Sequence, residues 1–199
     1  MQQEKQFSPE ESIALIESMI REVKQSAVEN GFLYLLWGWT ILFCALIQYS
    51  VLKFKLTAIK HIEAIWFIIL PVTIYQVIYL IKENKQKRVK TYVDDMIANV
   101  WTTFGICMFV ASFIISKQNI WATAYPFVLM LYGVPTYLSG FAMKFTPLKI
   151  GAFGCWILAL VAVYVEPVDY LLIIAVAMTI AWIIPGYLLR AKFKREYNA

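Results

Sequence analysis

Six long runs without a charged side chain leave this chain few folds to choose from. They are Gly31–Leu52, Ala64–Ile81, Met96–Ser116, Gln118–Met143, Ile150–Val165 and Tyr170–Leu189, each 16 to 26 residues long. A bilayer core of ~30 Å takes roughly 17–25 helical residues to cross. Hydrocarbon offers peptide groups no water, so such a stretch must satisfy its own N–H and C=O groups as a helix. Composition agrees: 61% of the residues are apolar and 16% charged, against about 45–50% and about 25% in soluble domains. The expected fold is all-α, a polytopic bundle of six transmembrane helices at 31–52, 64–81, 96–116, 120–143, 148–165 and 169–189. Only part of the longest run need lie in hydrocarbon, and the shortest reaches span length if Lys149 snorkels. No connection is long enough for a soluble domain.

Orientation follows from the cations. The segment Lys82–Lys90 carries five of them (Lys82, Lys85, Lys87, Arg88, Lys90) between two apolar runs. Putting both termini in the cytoplasm leaves fourteen Lys and Arg inside and four outside (Lys53, Lys55, Lys60, Lys117), the bias expected of membrane proteins. The net charge of +5 then reflects topology and anionic lipid, with no nucleic acid implied. Phe32, Tyr34, Trp37 and Trp39 read as an inner aromatic belt. Trp66, Trp121, Tyr125, Tyr164 and Tyr170 read as the outer one. The basic residues of 190–199 form a cytoplasmic tail. The first thirty residues contain no short apolar region of signal-peptide type, so the first span is expected to serve as its own insertion signal.

Those residues, 1–30, are expected to form a cytoplasmic amphipathic helix. Ser8 caps it, Pro9 suits its first position and Glu11 completes a capping box. Ile13, Ile16, Met19, Ile20 and Val23 share one face at helical spacing, and Asn30-Gly31 ends it. Five acids against two bases on its surface argue against a lipid interface, where Lys and Arg are usual. Its apolar face is expected on protein, either its own bundle, a partner or a second copy.

Four prolines, Pro71, Pro126, Pro135 and Pro185, fall in or near spans, and each removes a backbone donor. They read either as hinges of a solute path or as kinks of a packed bundle. No Asp, Glu, Lys, Arg or His lies inside any of the six apolar runs, which counts against proton relays and ion paths. The polar residues at depth are neutral, among them Gln76, Asn99 and Thr102. They read as interhelical glue, or as the lining of a path for an uncharged or amphipathic solute. A Pro-then-Tyr pattern recurs in the even spans (Pro71/Tyr75, Pro135/Tyr137, Pro185/Tyr187), hinting at three hairpins of like orientation. Gly151 and Cys155 have the spacing of close helix contact. Cys44, Cys107 and Cys155 lie in apolar runs without CxxC spacing and read as small buried apolar residues.

His61, Glu63, Glu166 and Asp169 are expected at the outer mouth, without metal-ligand spacing. No catalytic motif is present, and no catalytic, cofactor-binding or metal-binding residue is expected. The block Glu11-Ser12, Leu15-Ile16, Met19-Ile20 with Asn30–Trp39 resembles the opening of small multi-span proteins of Bacteroidota-type bacteria. The likeness covers about the first 50 residues and implies an inner-membrane location. The leading expectation is a non-enzymatic interaction or regulatory subunit. The alternative is a small transporter or channel for an uncharged or amphipathic solute. Expected partners are the lipid bilayer and, through the N-terminal helix, a protein or a second copy.

Overall fold

The computed structural model describes residues 31–55, 61–86 and 92–197, and the expected helix face Ile13, Ile16, Met19, Ile20 and Val23 lies outside them. The described residues are all-helical. α1 is Phe32–Lys53. A 3-10 stretch, Ile62–Ile68, feeds into α2, Ile69–Gln86. α3 is Tyr92–Gln118, α4 Trp121–Ala142 and α5 Thr146–Ala162. α6, Tyr170–Met178, passes through a π-helical turn, Thr179–Ile183, into α7, Ile184–Tyr197.

Two of the reversals have a clear local cause. After α3, Asn119 adopts a left-handed conformation (φ 54°). The Ile120 N–H then reaches the Ile115 carbonyl at 3.2 Å, and the Asn119 N–H reaches Ser116 at 3.3 Å. Lys144 (φ 51°) does the same after α4, with Phe145 bonded to Gly140 at 2.8 Å and Lys144 to Phe141 at 3.1 Å. Both are Schellman closures, which satisfy the last carbonyls of a helix while reversing the chain. They fold α3, α4 and α5 back on one another.

Among the described residues, four helical stretches are long and apolar enough to cross a membrane: Phe32–Lys53, Ile62–Glu83, Tyr92–Gln118 and Tyr170–Arg195. Thr146–Ala162 is apolar but shorter. α4 has the length, at 22 residues, but two prolines, two glycines and several hydroxyls dilute its apolar character.

The core sits on α6–α7. Leu171, Ile174, Met178, Ala181, Trp182 and Leu189 are buried there, against Tyr34, Ile41 and Ala45 of α1, Leu129 and Tyr132 of α4, and Leu148, Cys155 and Ala159 of α5. α1 presents Tyr34, Gly38, Ile41, Ala45 and Gln48 inward at steps of three and four. That periodicity takes Tyr34 into the core beside Trp101, at 5.8 Å between ring centroids. The expected inner belt is corrected on this point: Tyr34 is a core residue, and Trp37 turns towards α2. Gly151 is a close-contact residue as expected. A Cβ there would stand 2.6 Å from the Ala181 Cα. Cys155 beside it is buried, whereas Cys107 is exposed, contrary to the expectation for all three cysteines.

α2 and α3 are peripheral. Leu70, Ile74 and Ile78 on the first, with Phe67 of the 3-10 stretch before it, and Ile106, Phe109 and Phe113 on the second, are all exposed, Phe109 by 75%. Apolar surface of this extent is foreign to a soluble monomer.

Candidate functional site

Polar groups at depth fall into two sets, those bonded inside the bundle and those left on its flank. Inside, indole N–H groups take the polar partners. Trp37 donates to the Gln76 amide oxygen at 2.7 Å, joining α1 to α2. Trp66 donates to Gln48 at 2.6 Å. Trp101 donates to the Ser139 hydroxyl at 3.1 Å, joining α3 to α4. Trp182 donates to the Thr136 hydroxyl at 2.8 Å, and that hydroxyl donates to its own Tyr132 carbonyl at 2.7 Å. Trp156 reaches the Met130 carbonyl at 3.2 Å, one residue from the carbonyl that Pro135 deprives of a donor. Rings reinforce the set: Trp182 meets Trp101 and Tyr132 edge-on at 5.6 and 5.1 Å. Each of the five tryptophan bonds ties two elements together, the arrangement by which polar side chains hold membrane helices.

The candidate prolines occupy unlike settings. Pro71 is exposed in the first turn of α2, where a missing N–H costs little. Pro126 is on the flank of α4. Pro135 and Pro185 are buried. Pro185 follows the π turn, whose Ile184 N–H reaches five residues back to Thr179. The wider turn absorbs the proline without a break in the long helix. The three positions of the Pro-then-Tyr pattern thus differ in burial and in local geometry.

On the flank, a groove of about 410 Å³ runs between α3 and α4. One wall is Tyr92, Asp95, Asn99, Thr103 and Cys107, the last four spaced by four residues and so stacked along one line of α3. The other wall is Leu131, Val134, Pro135 and Leu138. Of the sequence candidates, Asn99 and Pro135 meet here. Thr102 faces elsewhere on α3 and closes on the Ala98 carbonyl at 2.8 Å. Thr103 belongs with Asn99 among the neutral polar residues at depth and Cys107 reads from sequence only as a small apolar residue, whereas Asp95 is no sequence candidate, although its four-residue spacing with Asn99 is a visible signal. A second groove, about 520 Å³, lies beside Pro126, lined by Phe127, Met130, Trp156 and Leu160.

At one end of the bundle Lys53 donates to Asp169 at 3.2 Å, tying the end of α1 to the start of α6. Glu166 adds its field to the same lysine. His61 and Glu63 are exposed. Among the described residues no group of three or more His, Cys, Asp or Glu is placed to hold a metal ion. Set against protein-family models, curated proteins and solved structures, the chain matches none.

Proposed function

We propose that this chain is a six-span protein of a bacterial inner membrane, with both termini cytoplasmic, acting as a non-enzymatic interaction or regulatory subunit. One observation carries the role: the polar side chains inside the bundle, Gln76, Gln48, Ser139 and Thr136, are taken up by tryptophans of neighbouring helices. A solute path needs such groups free to exchange partners; a rigid scaffold needs them bonded. Four long apolar helices, exposed apolar flanks on α2 and α3, and the fourteen-to-four cation bias support the membrane and topology readings. The likeness of the first 50 residues to Bacteroidota-type membrane proteins supports the location.

In this reading the acidic helix around Ile13, Ile16, Met19, Ile20 and Val23 is the docking element for a cytoplasmic partner or a second copy. Deleting Ser8–Glu29 is expected to leave insertion intact and abolish co-purification of the partner or dimer. Association that survives the deletion sinks the assignment.

The alternative, a small transporter or channel for an uncharged or amphipathic solute, is favoured by the groove beside Pro135 alone. It requires Pro135→Ala to lower flux in proteoliposomes while the protein stays folded.

A further inference from the structure

We infer that the groove between α3 and α4 is a binding site for a phospholipid with a primary-amine headgroup, phosphatidylethanolamine. The inference rests on the membrane reading above and is independent of whether the chain is a subunit or a transporter.

The order of chemistry along the groove carries it. Asp95, Asn99 and Thr103 lie at successive four-residue steps on α3, all exposed. Among the described residues none of the three has a hydrogen-bond or ion-pair partner. This contrasts with Thr102 next to them, bonded back to Ala98, and with Gln76 and Gln48, held by tryptophans. An amide and a hydroxyl left open towards hydrocarbon are costly, because lipid tails supply no partner. A ligand that brings its own polar groups removes that cost.

The required ligand is specified group by group. Asp95 accepts only, so it calls for a donor, and an ammonium supplies three N–H bonds. A quaternary choline supplies none. Asn99 and Thr103, one and two turns deeper, donate to ester carbonyls. Across the groove Leu138 stands level with them, next to the Ser139 that Trp101 bonds, and Val134, Leu131 and Cys107 further in suit an acyl chain. From Tyr92 to Cys107 the wall extends about 22 Å along the helix. Its volume of about 410 Å³ falls within the roughly 300–1,000 Å³ of ligand sites.

The test uses the full chain, extracted, stripped of lipid and offered bicelles of equal phosphatidylcholine, phosphatidylethanolamine and phosphatidylglycerol, with retained lipid read by native mass spectrometry. Phosphatidylethanolamine is expected to be retained about tenfold over phosphatidylcholine, the scale of one charge-assisted hydrogen bond. Asp95→Asn, which keeps the shape, should bring the two to parity. Leu138→Trp, which fills the groove from the apolar wall, should remove retention of both. Equal retention by the native chain, a preference for phosphatidylglycerol, or an ethanolamine preference that survives Asp95→Asn overturns the site. So does a Cys107–Cys107 disulfide between copies without retained lipid, because a second copy then covers the groove. A chain that stays in solution without detergent defeats the membrane reading instead, so the two failures are distinguishable.

Discussion

α3 and α1 are equally greasy helices with opposite fates. α1 buries eight residues, from Tyr34 to Val51, whereas α3 buries only Ile115. The difference lies in small residues. Gly38 of α1 lets the backbone come close enough that a Cβ would stand 2.8 Å from Ile183, whereas Gly105 of α3 has nothing within 4 Å. Lipid tails are as apolar as leucine, so hydrophobicity cannot choose helix neighbours in a membrane; close packing and polar pairs do. The long α6–α7 helix wins the centre because Gly151, Gly38 and Gly31 of its neighbours all make room for it. At Gly31, whose φ of +70° already favours glycine, the Gly186 carbonyl of α7 fills the space a side chain would need.

The sharpest break of this contrast is a pair of aromatic truncations. Trp182 is 2% exposed at the centre, and Phe109 is 75% exposed on α3. Trp182→Ala is expected to cost about 3–5 kcal/mol, seen as a large fall in melting temperature in detergent. Phe109→Ala should change it little. Similar losses at the two sites would mean that α3 is covered in the native assembly. Next in size, Gly151→Val should destabilise by roughly 1–3 kcal/mol through overpacking against Ala181. Gly105→Ala, in open space, should be neutral or gain up to ~1 kcal/mol of helix propensity.

Much of the fold was legible because each apolar run ends where a charge or a turn residue stands. Most of the described helices begin and end within a few residues of those runs, although the last one continues eight residues past Leu189 to Tyr197. The close contact at Gly151 was legible too, since small residues inside apolar helices have few other uses, and the bond from Trp37 agrees with the glue reading of Gln76. Which helix would be central was not legible. A helix that is apolar all round carries no stripe to mark its inner face, so the inward turn of Tyr34 and the exposure of Cys107 are hidden from periodicity. The bonds from Trp37, Trp101 and Trp182 link residues 39, 38 and 46 positions apart, beyond any local pattern. The groove was half legible: Asn99 and Pro135 stand out alone, but only the packing of α3 on α4 gathers Asp95, Thr103 and Cys107 with them.

A smaller effect separates the two functional readings. Gln76→Leu removes the acceptor of Trp37, and interhelical bonds of this kind are worth about 0.6 kcal/mol on average. If Gln76 is glue, the variant should lose about that much stability and leave any solute flux unchanged. A lowered flux in proteoliposomes with unchanged melting would transfer the residue to a path and favour the transporter.

The smallest effect is expected where the bundle meets water. Lys53 and Asp169 are bonded at 3.2 Å, with side chains 49% and 31% exposed. Water and mobile ions weaken such a pair, and exposed ion pairs contribute little. Asp169→Asn should therefore lower the melting temperature only slightly, and the difference should shrink further at high salt. What makes the pair informative is its span: it joins the end of α1 to the start of α6, the two helices whose packing defines the central half of the molecule. If close packing through Gly31 and Gly38 holds α1 against the long α6–α7 helix, the ion pair is dispensable and the variant melts almost as the parent does. A large, salt-sensitive loss would instead make the surface latch the element that seats α6 against α1, and the contrast between a packed centre and a loose flank would need a different cause.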